Sequence, residues 1–157
     1  MSMLIIALMS IILPNASCKD TSAIDYNQSI RVSIDMPDTI YRHQKEILVT
    51  LVVENISNKT ISLRDPSLWG NAFPRIMRGD EHLPGMRVKP DIRRLEKSVV
   101  TIKPKDSVRL TFNQKLGFML NLKNCYAGPY SIYFEIYPDK KQKNKILSKR
   151  AYFTLVD

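Results

Sequence analysis

From Ile30 onward the chain alternates apolar and polar residues with period two. Ile30-Arg31-Val32-Ser33-Ile34-Asp35-Met36 does so without a break. Ile47, Val49, Leu51 and Val53 alternate with Leu48, Thr50, Val52 and Glu54, a second face that is itself fairly apolar. Val108, Leu110 and Phe112 alternate with Arg109 and Thr111; Tyr130, Ile132, Phe134 and Ile136 with Ser131, Tyr133, Glu135 and Tyr137; Ala151, Phe153 and Leu155 with Tyr152 and Thr154. Successive strand residues face opposite sides, so each segment predicts a strand with one core face and one wetter face. Shorter strand candidates are Thr60–Leu63, Arg75–Arg78, Arg87–Lys89 and Val99–Ile102. Turn chemistry separates them: Met36-Pro37-Asp38, Asn55-Ile56-Ser57-Asn58-Lys59, Lys103-Pro104-Lys105-Asp106 and Pro138-Asp139. No long segment has a 3.6-residue period; Gly117–Lys123 fits one helical turn or a short bent strand. Many short strands without a real helix predict an all-β fold of two packed sheets, because one sheet could not bury this many apolar faces.

The N-terminus has a different pattern. Met3–Pro14 is an uncharged apolar run of about a dozen residues, shorter than the roughly 20 that a transmembrane helix needs. It fits the hydrophobic region of a secretory signal peptide. Asn15-Ala16-Ser17 then precede Cys18, and small residues before a cysteine resemble the bacterial lipoprotein signal, in which Cys18 becomes the lipidated first residue. Asn15 stands where such signals usually carry Leu, and no basic residue precedes the apolar run. The alternative is plain secretion with cleavage near Ser17 or Cys18. The expected organisation is a signal peptide over 1–17, a tether over 18–29 and one domain over 30–157.

A second resemblance rests on the strands. Ala127-Gly128-Pro129-Tyr130-Ser131-Ile132 is similar to the Gly-x-Tyr-x-hydrophobic signature before strand F of immunoglobulin-like domains, whose tyrosine hydroxyl pins the inter-sheet connection. Glu46–Asn58 resembles the strand-then-Asn turn of bacterial immunoglobulin-like modules. Ile102–Val108 resembles their turn with a Pro-Gly pair, with Lys105 where Gly is usual. The resemblance implies an immunoglobulin-like β-sandwich of about seven to nine strands. No inter-sheet disulfide is expected, since Ile132 takes the place of the second Cys and strand B has none. Intracellular proteinase inhibitors of bacteria share this style of sandwich, but no inhibitory loop matches.

Composition narrows the chemistry. The 157 residues suit one domain and exclude a large two-domain enzyme. Two cysteines exclude a disulfide-rich scaffold and a four-cysteine zinc site. With Cys18 acylated, Cys125 is the one remaining thiol; with Cys18 free, a Cys18–Cys125 bridge is the alternative in an oxidising compartment. The net charge is +9, and every charged residue lies at Lys19 or later, so removal of the signal keeps all of it. Basic residues gather at Lys140, Lys141, Lys143, Lys145, Lys149 and Arg150, at Arg87, Lys89, Arg93, Arg94 and Lys97, and at Lys103, Lys105 and Arg109. Such fields attract polyanions and anionic membranes. No aromatic residue interleaves the tip Asp139–Lys145, and with export this speaks against a nucleic-acid partner.

Asp65–Ser98 is a connection of 34 residues holding four of the nine prolines and three of the five glycines, and connections this long are often functional. Trp69, Phe73 and Arg75 make it a candidate binding surface, with Lys140, Lys141, Lys143 and Lys145 a second. The competing reading is an extra hairpin, Arg75–Arg78 with Arg87–Lys89 across Gly79-Asp80, whose Trp69 and Phe73 cap the core. Met77, His82 and Met86 are soft ligands loosely spaced for copper, but isolated Met and His are mostly packing or surface residues, and no metal or other cofactor is expected. The chain lacks a Gly-x-Ser-x-Gly elbow, a His-Glu-x-x-His helix and a phosphate-cradling glycine loop. The expected function is therefore a non-enzymatic, envelope-anchored binding or structural module, with a membrane partner through Cys18 and a protein or polyanion partner elsewhere. The alternatives are a secreted inhibitor of a protease or other hydrolase, presenting Pro84-Gly85 or Pro74-Arg75 on a loop, and an enzyme with a site assembled from distant residues. The anchor has a direct check: growth with a radioactive fatty acid should label the protein, and Cys18→Ala should abolish the label. An unlabelled wild type refutes acylation.

Overall fold

The computed structural model describes residues 24–68, 70–84, 98–115, 125–139 and 144–157. Within them the protein is mostly strand. One helical turn, α1 (Tyr26–Ser29), precedes β1 (Ile30–Asp35), β2 (Thr39–Tyr41), β3 (Glu46–Asn55), β4 (Ile61–Arg64), β5 (Ala72–Arg78), β6 (Glu81–His82), β7 (Val99–Ile102), β8 (Ser107–Lys115), β9 (Gly128–Ile136), β10 (Ile146–Leu147) and β11 (Ala151–Val156). The five long alternating segments become β1, β3, β8, β9 and β11, and Val99–Ile102 is β7 as expected from sequence. Gly117–Lys123, Arg87–Lys89 and the signal region lie outside the described residues.

The strands form three sheets. One has the order β1-β3-β8, the second β2-β11-β9-β5-β6 with β10 also on β9, and the third pairs β4 with β7. All pairs are antiparallel except β11 with β2, where Leu155 faces Ile40. The first strand thus changes sheet: β1 lies on β3, and β2 lies on β11. Pro37 stands between them, and a residue without an N–H cannot continue a ladder. The inward faces share one core, drawn from Val32, Ile40, Val49, Leu51, Ile61, Leu63, Ile132, Phe134, Ile136 and Leu155, each at most 1% exposed. Phe112 of the first sheet meets Phe134 of the second edge to face at 6.1 Å. Each such side chain contributes about 1.5–3 kcal/mol when fully buried.

Three connections differ from the sequence expectation. The stretch from Asp65 is not an open loop in its first part, since β5 is a seven-residue strand paired with β9 from Ala72 opposite Ile136 to Met77 opposite Ser131. The hairpin after β5 closes at once, on β6, while the expected partner Arg87–Lys89 lies outside the described residues. Its two-residue loop is Gly79-Asp80, and Gly79 has φ 59°, the positive value that a II′-type turn requires at its first position. The residues read as tether also join the fold at their end: Tyr26 packs against the core, and its hydroxyl donates to the Ser62 carbonyl at 3.2 Å.

The Tyr130 and Asn55 signatures both have physical counterparts. Gly128 opens β9 at φ 141°, where a side chain is strained. The Tyr130 ring stacks on Phe153 at 5.7 Å, and its hydroxyl donates to the Tyr126 carbonyl at 2.6 Å. Asn55 sits at an inward position at the end of β3, wholly buried. Its Nδ2 donates to the carbonyls of Lys59, Ile102 and Lys103 at 2.8, 3.1 and 3.0 Å. Its Oδ1 accepts from the Ser57 backbone N–H at 3.0 Å and the Ser57 hydroxyl at 2.7 Å. The chain carries four Asn-x-Ser/Thr sequons, at Asn15, Asn27, Asn55 and Asn58. At Asn55 every side-chain donor and acceptor is engaged and buried, so a glycan there is incompatible with this fold.

Lys105, which replaces the usual glycine, adopts φ 60°. A left-handed conformation costs an L-residue about 1–2 kcal/mol. The Lys105 ammonium offsets part of this by donating to the Ile56 carbonyl at 2.6 Å. The two contributions separate by substitution. Lys105→Ala keeps the strain and loses the bond; Lys105→Gly loses both. Urea unfolding should therefore show Lys105→Gly more stable than Lys105→Ala by about 1 kcal/mol. Equal stabilities would contradict the strain at this turn.

Candidate functional site

Strand pairing brings one set of side chains together on the outer face of the second sheet. On β9 the outward residues are Ser131, Tyr133 and Glu135, continued by Tyr137 just beyond the strand. Phe73 is the cross-strand partner of Glu135, Arg75 of Tyr133 and Met77 of Ser131. On the other flank Leu147 of β10 faces Glu135, and Tyr152 of β11 faces Ser131. His82 of β6 faces Met77, and its ring meets that of Tyr133 at 6.0 Å, near perpendicular.

Glu135 is the centre of this face. Sequence alternation predicts a wetter position, yet its side chain is only 9% exposed. The reason lies in its neighbours: β9 is flanked on both sides, and two long cationic side chains lie over the carboxylate. Arg75 Nη2 donates to Oε2 at 2.8 Å, and Lys145 Nζ donates to Oε1 at 3.0 Å. The Tyr137 hydroxyl lies 3.5 Å from Oε2. Burial pushes the Glu135 carboxyl up, but the hydrogen bonds and charges of Arg75 and Lys145 outweigh it and hold the group below the usual carboxylate range. Its hydrogen bond to Glu135 in turn raises the Lys145 ammonium.

Two anchors fix the frame. The Asn71 carbonyl accepts from the Tyr137 N–H at 2.8 Å, and Asn71 Nδ2 donates to the Asp65 carbonyl at 2.8 Å, which sets the start of β5 against the end of β9. Phe73 then meets the Tyr137 ring edge to face at 5.7 Å. Asn144 Nδ2 donates to Asp139 Oδ2 at 2.9 Å and closes the base of the segment that leads into Lys145.

The structure therefore joins three of the sequence candidates. Phe73, Arg75 and Lys145, from two regions far apart in sequence, surround one carboxylate. Phe73 lies on the outer face and not between the sheets, so it does not cap the core. Trp69, Lys140, Lys141 and Lys143, and the lipidation candidate Cys18, lie outside the described residues. Pro74-Arg75 lies within β5, hydrogen-bonded into the sheet, and so is not an exposed inhibitory loop. Met77 is buried at 3% exposure and its thioether is a packing group, while Met86 is outside the described residues. Among the described residues no group of three or more His, Cys, Asp or Glu is placed to hold a metal. Cys125 is a buried free thiol that burial pushes up, against the pull of the Arg42 and Arg78 charges.

Sequence reasoning missed Glu135, the residue that organises the site. The available signal was an acid between two tyrosines at i−2 and i+2, in and just beyond an alternating strand.

A pH experiment tests the centre. The folded-state value of Glu135 is depressed, so the unfolded chain binds more protons and stability rises with pH across the shift. Glu135→Gln should cost about 1–2 kcal/mol at neutral pH, where half-exposed Arg75 and Lys145 lose their ionic acceptor. The gap from wild type should shrink as pH falls from the ordinary glutamate value of about 4.3 through the lower folded-state value. Denaturant melts across that window provide the measurement, and a constant gap contradicts the assignment.

No family model and no curated protein matches the chain. Among solved structures it is similar to part of the Pseudomonas fluorescens alkylpurine DNA glycosylase AlkC bound to DNA containing an abasic site analog, at TM-score 0.46 and 10% identity, covering 82% of this chain and 31% of that one. It is also similar to part of a β-glucosidase from Erythrobacter marinus, at TM-score 0.46 and 16% identity, covering 82% of this chain and 15% of that one. A β-glucosidase from Listeria innocua in complex with glucose gives TM-score 0.43 and 8% identity, covering 82% and 16%. The chain thus spans less than a third of each of these proteins, and likeness at this level assigns it neither a substrate nor a reaction.

Proposed function

We propose that the chain is an immunoglobulin-like β-sandwich, exported and held at the cell envelope by a lipid on Cys18, and that it binds a protein partner through the outer face around Glu135. Strand order supports the sandwich. The sheet β1-β3-β8 corresponds to strands A, B and E, and β5, β9 and β11 correspond to C, F and G of the opposite sheet. The Tyr130 hydroxyl on the Tyr126 carbonyl corresponds to the tyrosine corner at the start of strand F. The signal-like N-terminus and Cys18 support export and anchoring.

The observation that carries the binding role is the composition of one continuous face. Phe73, Tyr133 and Tyr137 are half-buried, Leu147 is 53% exposed, Tyr152 is 72% exposed, and an ionic group lies among them. Rigid aromatics beside arginine are the residues that dominate protein interfaces. The outer face of the first sheet is the internal contrast. Thr50 and Thr111 hydrogen-bond at 2.9 Å there, Arg109 pairs with Asp35 at 2.8 Å and Arg31 with Glu54 at 3.5 Å. Leu48, 57% exposed, stands at one end of that face, but its charged and hydroxyl groups pair with one another and no aromatic residue lies among them on β3.

A photo-crosslinking residue at Leu147 or Tyr152 should therefore give a discrete adduct in the cells that make the protein. The same residue at Thr111 should give none. Adducts of equal yield from both faces overturn the assignment.

A further inference from the structure

Resting on the reading that this face docks a protein, we infer that the Arg75–Glu135–Lys145 group receives a carboxylate from an extended acidic segment of the partner. The residues flanking that carboxylate rest on Phe73 and Leu147, which stand on either side of Glu135 in the sheet.

Donor accounting leads to this ligand. A guanidinium has five N–H donors and an ammonium three. Arg75 places one bond on Glu135, and so does Lys145. Both oxygens of Glu135 are then occupied, while most donors of both cations are unspent. Two cations to one anion leave the group with one net positive charge. The Arg75 and Lys145 side chains are 47% and 45% exposed, so the unspent donors lie at the surface, above an acid that is 9% exposed. Asp139, the nearby acid, is bonded to Asn144 and closes its own loop.

The buried acid also does something for affinity. It holds two flexible cations in fixed positions before any ligand arrives, so the ligand does not have to order them. A single carboxylate can take N–H donors from both while Glu135 stays beneath. The group carries one net positive charge, which one carboxylate neutralises, whereas a layer of anionic headgroups brings several charges and no side chains for Phe73 and Leu147. Charge complementarity and the flanking apolar side chains of Phe73 and Leu147 therefore favour an acidic peptide over a membrane surface.

Backbone amide shifts of the isotope-labelled domain provide the test. The probe is acetyl-Ala-Phe-Glu-Phe-Ala-amide, with the Gln analogue as its neutral control. The Glu peptide should shift Phe73, Arg75, Glu135, Lys145 and Leu147, and bind about fivefold more tightly than the Gln peptide. Arg75→Gln should remove most of that preference. Lys145→Gln, on the segment that leads into β10, is the second variant, and its amide spectrum reports that the fold is intact. Equal binding of the two peptides overturns the carboxylate assignment. So does a response confined to phosphatidylglycerol vesicles or to a short oligothymidylate. Either failure leaves the crosslinking result at Leu147 and Tyr152 standing, whereas failure of that crosslink removes the docking face itself.

Discussion

The fold hinges on the side chain of Asn55. Three segments that are separate in sequence end at this one amide: the turn after β3, through Lys59; the end of β7, through Ile102; and the turn into β8, through Lys103. Its backbone N–H joins a fourth bond by donating to the Asp106 carbonyl at 2.9 Å, and the next residue, Ile56, donates to Ser29 at 2.9 Å. The registers of β3 with β8 and of β4 with β7 are thus tied at the same end of the molecule. Three carbonyls would lose their donor with this side chain, and the buried one, Ile102, would alone cost about 1–3 kcal/mol. An apolar residue of the same size could fill the space but could not close these turns.

The period-two pattern made the long strands legible, because a half-buried strand needs little beyond alternation to declare itself. What it could not show follows from the same physics. β2, β6 and β10 have three, two and two residues, too few for a period, and exist because longer neighbours offer them an edge. Asn55 occupies an inward position that alternation reserves for an apolar group. Glu135 occupies an outward position that alternation declares wet, yet β5 and β10 bring a roof of cationic stems that no local pattern contains. Lys105 was different. Its departure from glycine was visible in the sequence, and the structure expresses it as a positive φ held by a hydrogen bond.

The candidate site has the same logic in a different place. Phe73 and Arg75 come from the connection with the unusual composition, and Lys145 from the basic hairpin, so two surfaces that look independent along the chain are one surface in space. The carboxylate that unites them lies on β9, the middle strand of the order β2-β11-β9-β5-β6. It is therefore placed by the interior of the sheet, while Arg75 reaches it from β5 and Lys145 from the residue before β10.

The hydrogen bond from Tyr26 to Ser62 sets a length scale. It fastens the chain to the domain only eight residues after Cys18. A fully extended chain covers about 3.5 Å per residue, so a lipid on Cys18 as proposed would leave roughly 28 Å of slack between bilayer and domain. That is no more than about one diameter of a domain this size. The domain would then sample a thin shell above the membrane and could meet only what enters that shell.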